Sequence, residues 1–318
     1  MSRSRVFVTR RIAQAALDRL AASVEVDLWE GAGPPSADVV HQRVAGCDGV
    51  LCLLTERIDA AVLEAGPSLK VVSNMAVGVD NIDVAACTAR RIPVGHTPGV
   101  LTEATADFAF GLLLGAARRL VEADAYVRSG DWKTWDPRLL LGKEVHGSTL
   151  GIAGFGGIGQ AVARRARAFG MRVLVCTRTP PAGVEAVDKQ TLLQDSDFLS
   201  IHLPLTAQTR AWLGAAELAQ MKSTAVLINT ARGGVVDQRA LVAALEGGRP
   251  AFAALDVMDP EPPAANEPLL RLKNVLLAPH LGSATVETRT KMAMLAVDNL
   301  LAVLEGRRPA HVVNPEVL

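Results

Sequence analysis

Short apolar, β-branched runs recur along the chain, separated by longer stretches with the spacing of amphipathic helices. On that pattern strands are expected at residues 5–9, 24–29, 49–53 and 70–74, then at 149–153, 172–176, 198–201, 225–229, 251–256 and 275–278. Helix-sized segments such as 158–169 and 238–246 lie between them. Alternation of this kind predicts parallel sheets covered by helices on both faces. The unbroken run Ala225-Val226-Leu227-Ile228 suits a strand buried on both sides.

A boundary is expected near Pro98-Gly99, where strand–helix units give way to a long helical stretch at 103–128, read as one helix or two joined. Six further strands are expected after it, and a last helical segment at 283–305 that returns to the first domain. The predicted plan is a discontinuous outer domain, 1–99 with 285–318, around a central domain, 100–284. The 103–128 stretch carries Phe108, Phe110, Leu112, Leu113 and Leu114 in close succession. A helix apolar around most of its circumference calls for burial beyond its own domain, which predicts association of two subunits.

The length of 318 residues is comfortable for two domains. Thirty-three basic side chains balance thirty-three acidic ones, so the chain has no basic field for nucleic acid or an anionic membrane. The longest apolar run, 108–117, is about half of what a membrane-spanning helix needs. The opening Met-Ser-Arg-Ser-Arg and the short run Val6 to Val8 do not read as a signal peptide. Cys47, Cys52, Cys87 and Cys176 form no C-x-x-C pair and lie beside no histidine cluster. They read as reduced, mostly buried thiols and not as a metal site, which suits a soluble protein of a reducing cytoplasm.

The sharpest motif is Gly154-Phe155-Gly156-Gly157-Ile158-Gly159. It follows the strand at 149–153 and opens a helix, the context a dinucleotide-binding turn requires. Gly154 can make the tight turn, Gly156 removes the Cβ that would hold a pyrophosphate away, and Gly159 lets helix and strand pack closely. The helix N-terminus would present its free N–H groups to the anion. An acid near residue 177 would mark a site for the ribose 2′-hydroxyl of NAD, but Thr177-Arg178-Thr179 stands there instead. Arg178 is suited to the 2′-phosphate of NADP, so NADP is the expected preference with NAD as second choice.

Reduction of a carbonyl needs a proton donor near neutral pH, for which histidine is the usual choice, and a cation to hold a carboxylate, for which arginine is. Among His41, His96, His146, His202, His280 and His311, only His202 and His280 sit just past predicted strands of the central domain. Ligand sites of open α/β sheets lie at such strand ends, which narrows the choice to two without deciding between them.

Five stretches together resemble one family. They are Asn74-Met75-Ala76-Val77-Gly78-Val79-Asp80-Asn81-Ile82-Asp83, the glycine fingerprint, Asn229-Thr230-Ala231-Arg232-Gly233-Gly234, Ala278-Pro279-His280-Leu281-Gly282-Ser283, and Asp256-Val257 through Pro260-Glu261-Pro262. The chain resembles the D-isomer-specific 2-hydroxyacid dehydrogenases over essentially its whole length, in their glyoxylate/hydroxypyruvate reductase branch. The resemblance implies an α/β protein of two doubly wound parallel-sheet domains, a Rossmann dinucleotide-binding domain and a smaller flavodoxin-like substrate domain. It implies hydride transfer from a nicotinamide cofactor to glyoxylate or hydroxypyruvate, in a homodimer. Arg232 is implied to pair with the substrate carboxylate and keto oxygen, His280 to be the general acid, and Glu261 to hold the proton of His280. The N–H groups of Val77 and Gly78 are implied to bind the carboxylate from the outer domain. The cofactor is implied to lie against Gly154, Phe155, Gly156, Gly157, Ile158 and Gly159, Thr177, Arg178 and Thr179, then His202, Leu203 and Pro204. Thr230, Ala231, Arg232, Asp256, His280 and Gly282 complete that surface, with His202 a wall residue. Val79, Leu139 and Leu140 depart from residues frequent in the branch, a departure that bears on substrate choice and not on the reaction. Alternatives are a phosphoglycerate or D-lactate type enzyme, the former disfavoured because no regulatory domain follows Leu318, and a dinucleotide-sensing binding protein without turnover.

Overall fold

The computed structural model describes residues 3–318; Met1 and Ser2, part of the stretch read as lacking a signal peptide, lie outside the described residues. The chain forms two compact units, residues 1–101 with 284–318, and residues 102–283.

In the first unit the strands are β1 (Arg5–Val8), β2 (Glu25–Leu28), β3 (Gly49–Cys52), β4 (Val71–Asn74) and β5 (Val94–Gly95). The helices α1 (Gln14–Ser23), α2 (Ala37–Val44), α3 (Ala60–Ala65) and α4 (Val84–Ala89) connect them. All strands pair in parallel in the order β2-β1-β3-β4-β5, the doubly wound order of flavodoxin-like sheets. β1, β3 and β4 are almost wholly buried because helices cover both faces, and their sequences are accordingly apolar apart from Arg5 at the start of β1 and the buried Ser73 and Asn74 that end β4. Four helices of this unit open on acidic or hydroxyl caps, Ser36, Asp59 and Asp83 among them, whose side chains accept the free N–H groups of the first turn.

The second unit begins with α5 (Thr102–Ala117) and α6 (Leu120–Arg128). It continues through β6 (Thr149–Ala153), α7 (Gly157–Ala168), β7 (Arg172–Cys176), β8 (Glu185–Ala186), α8 (Lys189–Asp195) and β9 (Phe198–Ile201). Then come α9 (Ala215–Leu218), β10 (Val226–Asn229), α10 (Gln238–Glu246), β11 (Phe252–Leu255) and β12 (Val275–Leu277). The sheet order is β12-β11-β10-β9-β6-β7-β8, all parallel. Counted from β6, this is the 3-2-1-4-5-6 order of a dinucleotide-binding sheet with one strand added at the far edge. Alternate residues face opposite layers: Leu150, Ile152, Phe198, Val226 and Ile228 pack with α5 and α7, while Leu199, Ile201 and Leu227 pack in the layer that holds Leu192, Leu218 and Leu241. With both faces buried, the strands read as continuous apolar runs.

Two strands escape the periodicity, β5 and β8, each two residues long at a sheet edge, so seven strands follow the helices and not six. The 103–128 stretch is two helices, broken where Arg119 adopts a left-handed conformation with φ of 52°. The apolar circumference of α5 is satisfied inside its own unit, where Phe110, Leu112, Leu113 and Ala116 are buried against the sheet and α7. The unpartnered surface belongs to α6, in which no residue is buried and Leu120, Val121 and Val127 are exposed.

The last helix, α11 (Val286–Leu304), packs within the first unit against α1, β3 and β4. Its buried Asn299 donates from Nδ2 to His96 O at 2.9 Å and accepts from His311 N at 3.1 Å. An Asn299→Leu variant leaves both backbone groups unpaired in the interior. It is expected to lose about 1–3 kcal/mol of stability, read as a lowered midpoint in chemical denaturation; an unchanged midpoint would show that this link contributes nothing.

Candidate active site

The loops at the carboxyl ends of the second unit's strands carry the candidate residues, because every strand of a parallel sheet delivers its following loop to the same edge. After β6, Gly154 takes a φ of 90°, and a Cβ there would come within 2.7 Å of His202 O. A Cβ on Gly159 would collide with Gly154 O, so glycine is what lets α7 start against the strand. A Cβ on Gly156 would meet nothing within 4 Å. That residue opens α7 with no side-chain cap and no acid in the first turn, so the helix N-terminus faces open space with its N–H groups free. Thr230 Oγ1, at the end of β10, is buried without a hydrogen-bond partner among the described residues. An open glycine cradle on a helix N-terminus and an orphaned hydroxyl suit a bound dinucleotide. Phe155 is buried beneath the turn, whereas Gly157 and Ile158 remain accessible.

After β7, Thr177 is half-buried and Arg178 and Thr179 are exposed, and Arg178 forms no ion pair with any described residue. After β9, His202 Nε2 lies 2.8 Å from Ser200 Oγ. Burial of its ring pushes its pKa down to about 4, although the residue as a whole stays part-exposed. His202 is therefore neutral at physiological pH and suits a wall, not a proton donor. Leu203 is half-buried beside it and Pro204 exposed.

After β10, the buried Asn229 folds the next loop onto itself: its Oδ1 accepts Ala231 N at 3.0 Å and its Nδ2 donates to Arg232 O at 3.0 Å. This Asx-type turn sets the direction in which Arg232 leaves the strand end. After β11, Glu261 accepts Met258 N on Oε1 at 2.8 Å and pairs through Oε2 with His280 Nδ1 at 2.9 Å. Burial works against the Glu261 carboxylate, but the His280 and Met258 hydrogen bonds and the nearby charges of His280 and Arg232 outweigh it and hold its pKa below the usual carboxylate range. The electrostatic reach of Arg232 places three groups of separate loops in one neighbourhood.

His280 itself sits at φ of 57°, a conformation that a side chain with a Cβ adopts only where its surroundings impose it. The surroundings are Asp256, almost fully buried, whose carbonyl accepts His280 N at 2.9 Å. Its carboxylate accepts Leu281 N at 2.6 Å and Gly282 N at 2.8 Å. Burial pushes the Asp256 carboxyl's pKa up, against those two N–H bonds. Each oxygen keeps one lone pair for a further donor. The His280 ring is thus held at Nδ1 by Glu261, and Nε2 has no partner among the described residues.

Val77 and Gly78 lie in the first unit, in the turn after β4, and both reach the surface. Asn229 and the clamping function of Asp256 are what sequence reasoning passes over. A buried asparagine or aspartate closing an apolar strand is the signal that marks both.

Strand order and glycine turn together define a dinucleotide-binding domain of the dehydrogenase type. Comparison with known proteins narrows this. The family described as D-isomer specific 2-hydroxyacid dehydrogenase, NAD binding domain, matches residues 110–282. A glyoxylate reductase of Korarchaeum cryptofilum is 52% identical, the alignment covering 99% of this chain and 97% of that protein. A glyoxylate reductase of Thermococcus litoralis is 49% identical over 99% of this chain and 98% of its own length. Among solved structures, a protein from Thermus thermophilus superposes with a TM-score of 0.93 at 50% identity, covering 97% of this chain and 99% of that one. The NADPH-dependent glyoxylate/hydroxypyruvate reductase of Sinorhizobium meliloti, solved with NADP and malonate, does so at 0.88 and 37% identity, covering 99% of this chain and 98% of its own. The chain belongs to the D-isomer-specific 2-hydroxyacid dehydrogenases, and relatives half-identical to it over their full length are glyoxylate reductases.

The Glu261–His280 pair makes a direct test possible. Glu261→Gln removes the carboxylate that its bonds to His280 and Met258 and the nearby charges of His280 and Arg232 hold ionised. kcat/KM for glyoxylate reduction is expected to fall by on the order of tenfold or more, with the KM for NADPH unchanged; a wild-type kcat/KM would show that the pairing contributes nothing.

Proposed function

We propose that the protein reduces glyoxylate to glycolate, and hydroxypyruvate to D-glycerate, with NADPH preferred and NADH as second cofactor. The observation that carries this reading is the 2.9 Å pair of His280 and Glu261 within electrostatic reach of Arg232, in a chain half-identical to glyoxylate reductases. The nicotinamide supplies the hydride when bound. Arg232 receives the carboxylate and keto oxygen of the substrate, with a planar fork that matches both. Val77 and Gly78 offer backbone N–H groups suited to a carboxylate. His280 delivers the proton from Nε2 to the developing alkoxide, while Glu261 holds the ring through Nδ1. His202, Leu203, Pro204, Thr230, Ala231, Asp256 and Gly282 line the cofactor, with residues 154–159 under its pyrophosphate.

The protein acts as a homodimer of the cytoplasm. The exposed apolar face of α6, continued by the exposed Trp132, Trp135 and Leu141, supports self-association. No helix among the described residues is long and apolar enough to cross a membrane, and the four cysteines are free.

The preference for NADPH rests on Thr177-Arg178-Thr179, where an exposed, unpaired guanidinium replaces an acid. The test measures kcat/KM for a panel of small 2-keto acids with each cofactor. Glyoxylate and hydroxypyruvate are expected to lead the panel, and NADPH to exceed NADH about tenfold, an exposed charge-assisted bond being worth less than a buried one. Arg178→Ala is expected to abolish most of that ratio and leave the NADH values unchanged. No turnover on any keto acid overturns the reaction; an NADH preference, or a ratio that survives Arg178→Ala, overturns the cofactor assignment.

A further inference from the structure

The turn after β4 holds three successive peptides by their carbonyls. Ala76 O accepts Thr97 N at 2.8 Å, Val77 O lies 3.1 Å from His96 Nδ1, and Gly78 O accepts Asn74 Nδ2 at 3.0 Å. In a planar trans peptide the carbonyl and the following N–H point in opposite directions. Tying back three carbonyls therefore turns the N–H groups of Val77, Gly78 and Val79 away from their anchors. None of these three donors has an acceptor among the described residues, and the segment is accessible. A run of free N–H groups fixed in this way is a preformed anion seat.

The anchors differ in kind. Thr97 N belongs to the backbone, and the buried Asn74 is locked in place because its Nδ2 also lies 3.2 Å from Asn81 Oδ1. Asn81 in turn donates to Leu53 O and Glu56 O, each at 2.9 Å. The central peptide, Val77–Gly78, depends on a side chain alone, the His96 ring. The backbone that carries the ring is anchored on both sides: His96 O accepts Asn299 Nδ2, and His96 N donates to His311 O at 3.3 Å. Because a carbonyl can only accept, Nδ1 of His96 carries the proton in this bond.

We propose that His96 is a positioning residue for substrate affinity: by donating to Val77 O it aims the Gly78 N–H at the substrate carboxylate. This rests on the keto-acid reading above. The residue touches neither substrate nor reacting atoms, so its loss weakens ground- and transition-state binding alike and spares the chemical step. Asn and Leu at position 96 have nearly the same shape, and Asn Nδ2 stands close to the place of His Nδ1, so the pair separates the donor from the volume.

The experiment compares wild type, His96→Asn and His96→Leu for KM and kcat with glyoxylate, for KM with NADPH, and for inhibition by oxamate, a non-reacting α-carboxylate amide. His96→Leu is expected to raise the glyoxylate KM and the oxamate inhibition constant together, on the order of tenfold, equal to about 1.4 kcal/mol. kcat and the NADPH KM are expected to hold, and His96→Asn to restore both raised constants. Unchanged constants in His96→Leu, a fall in kcat instead of a rise in KM, or a failure of Asn to rescue overturns the proposal. If His96→Leu does not fold, His96→Asn decides alone: wild-type constants support the donor role, and weakened oxamate binding by a folded protein overturns it. A wild type inert toward every keto acid removes the functional reading itself, whereas an active wild type indifferent to position 96 removes only this inference.

Discussion

The Asp256 clamp is the interaction on which the site depends. A single buried residue at the end of β11 takes three consecutive backbone N–H groups, those of His280, Leu281 and Gly282. It helps to hold a histidine with positive φ just past Pro279, since that conformation costs free energy that neighbouring contacts must offset. With it, the ring stands within hydrogen-bond distance of a carboxylate nineteen residues away in sequence. The buried carboxylate is itself made tolerable by the N–H donors it holds, so clamp and loop stabilise each other.

The parallel sheet makes such a meeting possible. Loops after β6, β7, β9, β10, β11 and β12 all emerge at one edge, and each brings a different chemical type: free helix N–H groups, an exposed arginine, a neutral histidine, a folded-back arginine, a clamp and a histidine paired with a carboxylate. The rigidity comes from strands whose two faces are both packed, with Phe198 on one side and Leu199 on the other, as the continuous apolar runs require. Electrostatics then separates two histidines that occupy equivalent strand-end positions. His202 faces a hydroxyl in a desolvated place and loses its charge, and His280 faces a carboxylate.

Much of this is legible in the chain before any coordinates. All ten strands expected from β-branched runs exist, with no end shifted by more than one residue, because a strand buried in a parallel sheet needs a short, β-branched apolar run. β5 and β8 are invisible because two edge residues carry no period, and Arg119 gives no signal for a helix break since arginine is an ordinary helix former. The glycine turn is legible because backbone geometry alone demands glycine at 154 and 159. The Glu261–His280 pairing is not, since the Glu261 stretch reads as a solvated proline-rich turn, and only resemblance to a family links it to His280. Asn229 and Asn299 escape for a similar reason: their work is to satisfy backbone groups from elsewhere in the chain, which no local pattern announces.

The most direct measurement is the turnover of a His280→Gln variant set beside its affinity for NADPH. Gln keeps a polar side chain of similar reach but cannot carry a proton to the alkoxide. The expected result is a fall in kcat for glyoxylate reduction by on the order of a hundredfold or more, while NADPH binding followed by fluorescence titration stays within about twofold of wild type. Turnover close to wild type with cofactor binding intact would contradict the assignment of His280 as the proton donor.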